Sequence, residues 1–217
     1  MCGIAGVFYR DGRSADDRVL QQMGTQIEHR GPDGWGVTSF AGAGLAHRRL
    51  KIIDLTDAAA QPMGEGGAWI SFNGEIYNFG ALREELVAKG HRFKSTGDTE
   101  VILHLYLEHG PDAIRRLDGM FALAIWDDRT KTLLLARDRT GKKPLYVYDD
   151  GRKVVFGSEI KAILAHPEID DAAWNGALPL YLTYGYVPTP RTMYQRIRKL
   201  PPASLQVFTL GETAGPE

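Results

Sequence analysis

The first apolar block, Ile4 to Phe8 in "MCGIAGVF", is the length of a strand that would tie the N-terminus into a sheet. The period then lengthens. In "SADDRVLQQMGTQIEHR", Val19, Leu20, Met23 and Ile27 fall on one helical face, and Ser14 with Asp17 makes an acidic capping box at its start. "HRGPDGWG" interrupts with two turn-forming dipeptides, and strand-like runs follow at Gly36 to Phe40, Gly44 to Asp54 and Ala68 to Phe72. Asn78 is placed to cap a helix running to about Lys89, with Gly90 in the terminating position. A second helix is predicted from Thr99 to His109. Four more strand-like runs come next: Phe121 to Asp127, Thr132 to Arg137, Leu145 to Tyr148 and Lys153 to Phe156. The linkers between them, "DDRTK", "DRTGKKP" and "DDGRK", are short enough for hairpins. A short helix begins near Ser158. This order predicts an α+β fold of antiparallel sheets with segregated helices, not a doubly wound parallel sheet.

After about His166 the pattern changes. "WNGALPLYLTYGYVPTPRTMYQRIRKLPPASLQV" is rich in proline and aromatics, with one helix predicted around Trp174 to Tyr184. Exposed aromatics on an arm need a surface to pack on. The expected division is therefore a domain over residues 1–165 and a connector arm over 166–217, docked on that domain, on another, or on both.

Composition narrows the class. The net charge of -1 gives no general electrostatic reason to bind nucleic acid or an acidic membrane. Arg191, Arg196, Arg198 and Lys199 do cluster, and such a group reads as a solvated surface before it reads as a polyanion site. The run "MFALAIW" is too short to cross a bilayer, no basic leader precedes the first apolar stretch, and a single cysteine allows no internal disulfide. A soluble cytoplasmic protein is the expectation.

That single cysteine stands at position two. A lone cysteine is most often a small buried hydrophobe. With the initiator Met1 removed, however, Cys2 would carry both a thiol and a free α-amine able to act as its activating base. "FNGEIYN" also has two readings. Asn73-Gly74 after a strand signals a tight hairpin turn, yet an asparagine amide and a glycine N–H can also converge on a developing oxyanion. In "LAHRRLKIID" a guanidinium could grip a carboxylate in a bidentate fork, and the pattern does not choose between Arg48 and Arg49. Asp98 in "STGDTEVI" could cap the following helix or receive a substrate ammonium group. The histidines lack metal-ligand spacing and no Walker-type loop occurs, so no metal or nucleotide site is assigned to the chain.

Taken in order, "MCGIAGVF", "HRGPDG", "LAHRRLKIID", "QPM", "FNGEIYN", "GDTEVIL", "LDGMFALAIWD", "LLARDRTGKKPLY" and "FGSEIKAIL" closely resemble the glutaminase domain of class II glutamine amidotransferases. The series is most similar to the asparagine synthetase branch, and "YLTYGYVPTPRTMYQRIRKLPPASL" resembles that branch's connector to its synthetase domain. The resemblance implies the four-layer αββα sandwich of N-terminal nucleophile hydrolases. It implies Cys2 as nucleophile and Asn73 with Gly74 as the oxyanion hole. The family's histidine-x-arginine-leucine pattern selects Arg49 as partner of the glutamine α-carboxylate. Leu50, Ile52 and Ile53 would line the pocket, partly through backbone groups, and Glu75 and Asp98 would meet the substrate's amino group.

Two departures from the family pattern are local: Gly97 stands where a serine is frequent, and "LPPAS" replaces the more usual "LPPG". A larger one is that these residues lack the SGG-x-DS pyrophosphate loop of the synthetase domain. The implied activity is hydrolysis of L-glutamine to glutamate and ammonia through a Cys2 γ-glutamyl thioester, feeding an amidation of the asparagine synthetase type. ATP and Mg are expected only in a synthetase domain or subunit, no cofactor in this chain, and a homodimer is compatible with the pattern. The alternative is a non-catalytic domain of the same fold that binds glutamine or a partner.

Overall fold

In the computed structural model, which describes residues 1–211, the first strand, β1 (Gly3–Tyr9), is buried along its whole length. Both its faces are covered: Ile4 and Phe8 enter one apolar cluster, and Ala5, Val7 and Tyr9 another. A strand between two layers needs no polar face, which is why the sequence there is a continuous apolar run.

The chain continues through α1 (Asp17–Thr25), β2 (Gly34–Ser39), β3 (Ala43–Arg49), β4 (Met63–Glu65), β5 (Ala68–Ile76), α2 (Phe79–Ala88) and α3 (Asp98–His109). It ends with β6 (Gly119–Asp127), β7 (Thr132–Arg137), β8 (Tyr146–Asp149), β9 (Lys153–Gly157), α4 (Ile160–Leu164), α5 (Ala177–Tyr184), β10 (Ile197–Lys199) and β11 (Leu205–Thr209). Two sheets result, in the orders β10-β8-β9-β1-β3-β2 and β11-β7-β6-β5-β4, and every paired strand is antiparallel.

The sheets face each other through Ile4, Phe8, Leu45, Ala122, Ala124, Trp126, Leu133, Leu135, Val154 and Phe156. On the outside of the first sheet, Leu20 and Met23 of α1 and Ala162 and Ile163 of α4 pack against Ala5, Val7 and Val155. Outside the second, Leu82, Leu86, Val101, Ile102 and Leu105 of α2 and α3 cover Ile70, Phe72, Leu123, Ile125 and Leu134. The layers are helix, sheet, sheet, helix. The period of two is visible within β6, whose Leu123 and Ile125 face the helices while Ala122, Ala124 and Trp126 face the other sheet.

Several elements differ from the sequence-based expectation for identifiable reasons. The cap of α1 is Asp16, whose Oδ1 accepts the Arg18 N–H at 2.8 Å, so Ser14 and Asp17 form no capping box. Asn78 does occupy the N-cap position of α2, but its side-chain amide makes no capping bond and bridges away from the helix, donating to Arg116 O and accepting from Asp118 N, both at 3.0 Å. The linker after β7 is no hairpin, because β7 and β8 lie in different sheets. Asp138 supports this crossing: its buried carboxylate accepts the amides of Phe121, Thr140, Lys142 and Lys143 at 3.0–3.2 Å, so the backbone there needs no strand partner. The strand β4 had no signal in the pattern.

Within the arm, β10 extends the first sheet beside β8 and β11 extends the second beside β7. Three of the four clustered basic residues have local partners: Arg191 lies over the Trp174 ring at 5.0 Å, Arg196 is 3.6 Å from Asp170, and Lys199 Nζ donates to Val187 O. Among the described residues, no helix is long and apolar enough to cross a membrane.

Phe8 meets Trp126 and Phe208 at ring-centroid distances of 6.1 and 6.2 Å and joins the two sheets at their centre. Phe8→Ala should therefore destabilise the fold by about 3–5 kcal/mol, read as a lower urea midpoint with an unchanged slope.

Candidate active site

Cys2 sits immediately before β1, where both ends of its first residues are pinned. Arg30 Nε donates to Cys2 O at 3.0 Å, and Arg30 is itself held by Glu159 at 3.0 Å. Ile4 N–H donates to Ser158 Oγ at 3.0 Å, and Ser158 N–H returns a bond to Ile4 O at 2.9 Å. The thiol meets the backbone of Leu50, accepting from its N–H at 3.3 Å and donating to its carbonyl at 3.6 Å. Burial pushes the thiol pKa up, and the Leu50 amide and the positive charges of the N-terminus and Arg49 only partly oppose it. Left alone at neutral pH, Cys2 is a thiol and not a thiolate.

Opposite it runs β5. Asn73 and Gly74 are not a turn: residues 68–76 pair without interruption with β6, Asn73 against Ala122 and Gly74 against Phe121. Asn-Gly satisfies a local turn rule, but nine residues of ladder override it. Glycine is needed at 74 for close strand contact, since a Cβ there would lie 2.2 Å from Met120 O. Asn73 is 1% exposed, and its Nδ2 is buried with no hydrogen-bond partner. Behind the strand, buried His47 donates from Nε2 to Phe72 O at 3.1 Å, and burial lowers its pKa to about 4, so it is neutral.

The strand expected from Gly44 to Asp54 stops at Arg49, and residues 50–56 form a loop over the cleft. Arg49 holds that loop, donating from its two terminal nitrogens to Thr56 O at 2.7 Å and Asp54 O at 2.5 Å. Asp54 anchors it from the other side. Its buried carboxylate accepts the N–H and hydroxyl of both Thr56 and Thr96 at 2.7–3.0 Å, with the Thr56 hydroxyl the largest cause of a pKa well below the carboxylate range. Ile52 and Ile53 project at the mouth, 55% and 40% exposed.

The cap position of α3 is Gly97, so Asp98 does not cap that helix. Its Oδ2 instead accepts the Ile76 N–H of β5 at 3.0 Å. Burial raises the Asp98 pKa to about 6; amide donors from Ile76, Asp98 and Thr99 pull it back and the charge of Glu75 adds to the rise.

All nine residues singled out from the sequence (Cys2, Arg49, Leu50, Ile52, Ile53, Asn73, Gly74, Glu75 and Asp98) line one cleft of about 240 Å³. Asp54, Gln61, Thr99 and Lys143 line it as well and were missed. The Asx-type pattern "DLT" was a usable signal for Asp54, whose carboxylate takes the amide two residues on. Lys143 carried none; its Nζ meets Met1 Sδ at 3.2 Å across the cleft.

A helix-sheet-sheet-helix sandwich in which Cys2, directly before β1, faces a cleft is the fold type of the N-terminal nucleophile hydrolases. The chain belongs to the glutamine amidotransferase domain family, whose model matches residues 1–215. It is 38% identical over 215 residues to asparagine synthetase (glutamine-hydrolyzing) 3 of Bacillus subtilis, covering 96% of this chain and 35% of that protein. It thus spans about a third of the length of the first curated relatives it matches. Among solved structures, the glutamine phosphoribosylpyrophosphate amidotransferase from B. subtilis, complexed with ADP and GMP, superposes with TM-score 0.62 at 21% identity over 76% of this chain and 43% of that one. A structure described as the allosteric regulatory enzyme of purine biosynthesis gives TM-score 0.68 at 18% identity, over 96% of this chain and 47% of its own. These two share the fold.

Asp98 has a folded pKa above its ordinary value of 3.8, so the native state binds this proton more tightly than the unfolded chain does. Its contribution is fully present below about pH 4 and is lost as pH rises through about 6. Asp98→Asn keeps an acceptor for Ile76 and removes the charge. At pH 7 the variant should melt at or above the wild-type temperature, and the difference should close below pH 4; a variant clearly less stable at pH 7 than at pH 4, relative to wild type, would reverse the sign.

Proposed function

We propose that this chain hydrolyses the side-chain amide of L-glutamine to glutamate and ammonia through a γ-glutamyl thioester on Cys2. The observation that carries the reading is an unpartnered, fully buried amide donor, Asn73 Nδ2, in the same cleft as the Cys2 thiol. A buried donor without a partner costs about 1–3 kcal/mol, which a site can recover when negative charge develops beside it.

The thiol needs a base, because its burial favours the protonated form. No histidine lines the cleft. With Met1 removed, the α-amine of Cys2 takes the thiol proton and Sγ bonds to the amide carbon. The carbonyl π electrons move onto oxygen, where Asn73 Nδ2 and the Gly74 N–H receive the charge. The protonated amine then gives its proton to the departing nitrogen, the C–N bond breaks and ammonia leaves. Water, deprotonated by the same amine, adds to the thioester; the C–S bond breaks, releasing glutamate and restoring the thiol.

Arg49 is suited to the substrate carboxylate, Glu75 and Asp98 to its ammonium group, and Leu50, Ile52 and Ile53 to its walls. Since the relatives that support the family are named asparagine synthetases and are about three times as long, the ammonia would serve an ATP- and Mg-dependent synthetase segment or subunit. Aspartate would be the acceptor of that ammonia, and a homodimer is compatible with this reading.

The processed chain should release ammonia from glutamine in a coupled glutamate dehydrogenase assay, and a glutamine-like electrophile should add one equivalent to Cys2 by intact mass. Cys2→Ala should abolish release, as should retention of Met1, verified on the same sample by mass. Full turnover by either would contradict the mechanism. Because Asp98 must be ionised to attract an ammonium group, kcat/KM should show an inflection near pH 6 below which it falls more steeply, while Asp98→Asn should be slower, lose that inflection and keep only the acid limb of the α-amine.

A further inference from the structure

The outer edge of β5 poses a question of satisfaction that the roles above leave open. Its neighbour β4 pairs with it only from Ala68 to Ile70, opposite Glu65 to Met63. Beyond that point, among the described residues, the edge has no strand beside it. Backbone groups alternate along a strand, so Phe72, Gly74 and Ile76 present their amides to the same side. The Phe72 N–H donates to Gln61 Oε1 at 2.7 Å, and the Ile76 N–H donates to Asp98 Oδ2 at 3.0 Å. Gly74 lies between them and lines the cleft.

The two side-chain acceptors are themselves joined. Gln61 Nε2 donates to Thr99 Oγ1 at 3.2 Å, and Thr99 follows Asp98 at the start of α3. The path Phe72–Gln61–Thr99–Asp98–Ile76 therefore closes a ring around the Gly74 amide. Its members are buried: Gln61 is 8% exposed, and Thr99 and Asp98 5% each. On the same edge, the Phe72 carbonyl accepts from His47 Nε2 at 3.1 Å.

We infer that Gln61 is a positioning residue, whose carboxamide couples the strand carrying Asn73 and Gly74 to the helix start carrying Asp98 and so sets where the Gly74 N–H points. This rests on the glutaminase reading for its kinetic consequence. The ring itself does not. Gln61 stands in for the strand that β4 fails to supply, and it does so with both ends of one side chain. A donor displaced by about an ångström from a developing oxyanion loses much of its effect.

Gln61→Met keeps the length and removes both hydrogen bonds. The expected result is a kcat lower by about tenfold to a hundredfold with KM for glutamine changed by no more than a few-fold, and an unchanged rate of Cys2 alkylation by iodoacetamide. Gln61→Glu, which returns an oxygen to the Phe72 N–H, should recover most of the loss. Thr99→Val should lower kcat less, and the double variant Gln61→Met/Thr99→Val should be no slower than Gln61→Met, since both open one ring. Unchanged kcat in Gln61→Met, or additive losses in the pair, overturns the assignment. The ¹H–¹⁵N resonance of Gly74 gives a readout free of turnover: it should move in Gln61→Met and in Thr99→Val. If Gln61→Met does not fold, Thr99→Val decides alone, and an unmoved Gly74 resonance overturns the ring. A wild-type chain that releases no ammonia while its Gly74 resonance still responds counts against the glutaminase reading and leaves the ring standing.

Discussion

An edge strand carries a row of backbone groups that must find partners, and in this molecule the row that matters runs along β5 past Ile70. Where β4 ends, side chains take over. Gln61 and Asp98 accept the amides of Phe72 and Ile76, His47 donates to the Phe72 carbonyl, and the stretch between is left facing a cleft. The four-layer packing makes this arrangement rigid. β5 is clamped on its other edge by nine residues of pairing with β6, and its faces are covered by α3 and by the opposite sheet. The site is thus an interruption in a ladder, set into a structure that does not let the ladder relax.

The chemistry follows from what that interruption leaves unsatisfied. Asn73 Nδ2 is buried without an acceptor, and Asp98 is held in surroundings that disfavour its charge. Both features oppose stability, and both suit the amide substrate proposed above: in that proposal one would meet negative charge and the other positive. Neither would persist in a loosely packed protein. The inter-sheet cluster around Phe8 and Trp126 and the helix-facing cluster around Leu123 and Val101 offset them comfortably. The loop over the cleft is treated differently. Asp54 is well solvated by four donors and Arg49 is anchored to backbone carbonyls, so the lid is stable while the floor is strained electrostatically.

How much of this was legible in the residues depended on how local the cause was. The strands β6 and β7 and the helix α3 were readable because apolar spacing alone decides them. The antiparallel, helix-segregated order was readable from the succession of elements. Three features were not. Asn73-Gly74 obeys a turn rule that a long-range ladder overrules. Arg49 ends its strand early because its guanidinium turns back onto the next loop. The linker at Asp138 leaves one sheet for the other because a single carboxylate satisfies four amides. The first is a long-range ladder, and the other two are side-chain-to-backbone contacts, mostly within seven residues, that periodicity cannot report. The site residues were assembled through resemblance to a family pattern, not through spacing, and the cleft brings all nine of them together; Gln61, which joins two halves of that cleft, stood in the quoted "QPM" motif but was given no role, because a glutamine before a proline carries no chemical signal of its own.

In the proposed mechanism one lone amide nitrogen, Asn73 Nδ2, is kept out of ordinary hydrogen bonding so that it can meet an oxyanion. The most direct measurement is steady-state glutamine hydrolysis by Asn73→Ala in the processed chain. The expected result is a kcat lower by about a hundredfold to a thousandfold, with KM changed by no more than a few-fold. A variant that turns over glutamine at the wild-type rate would show that Asn73 has no part in stabilising the transition state, and the central claim would fall.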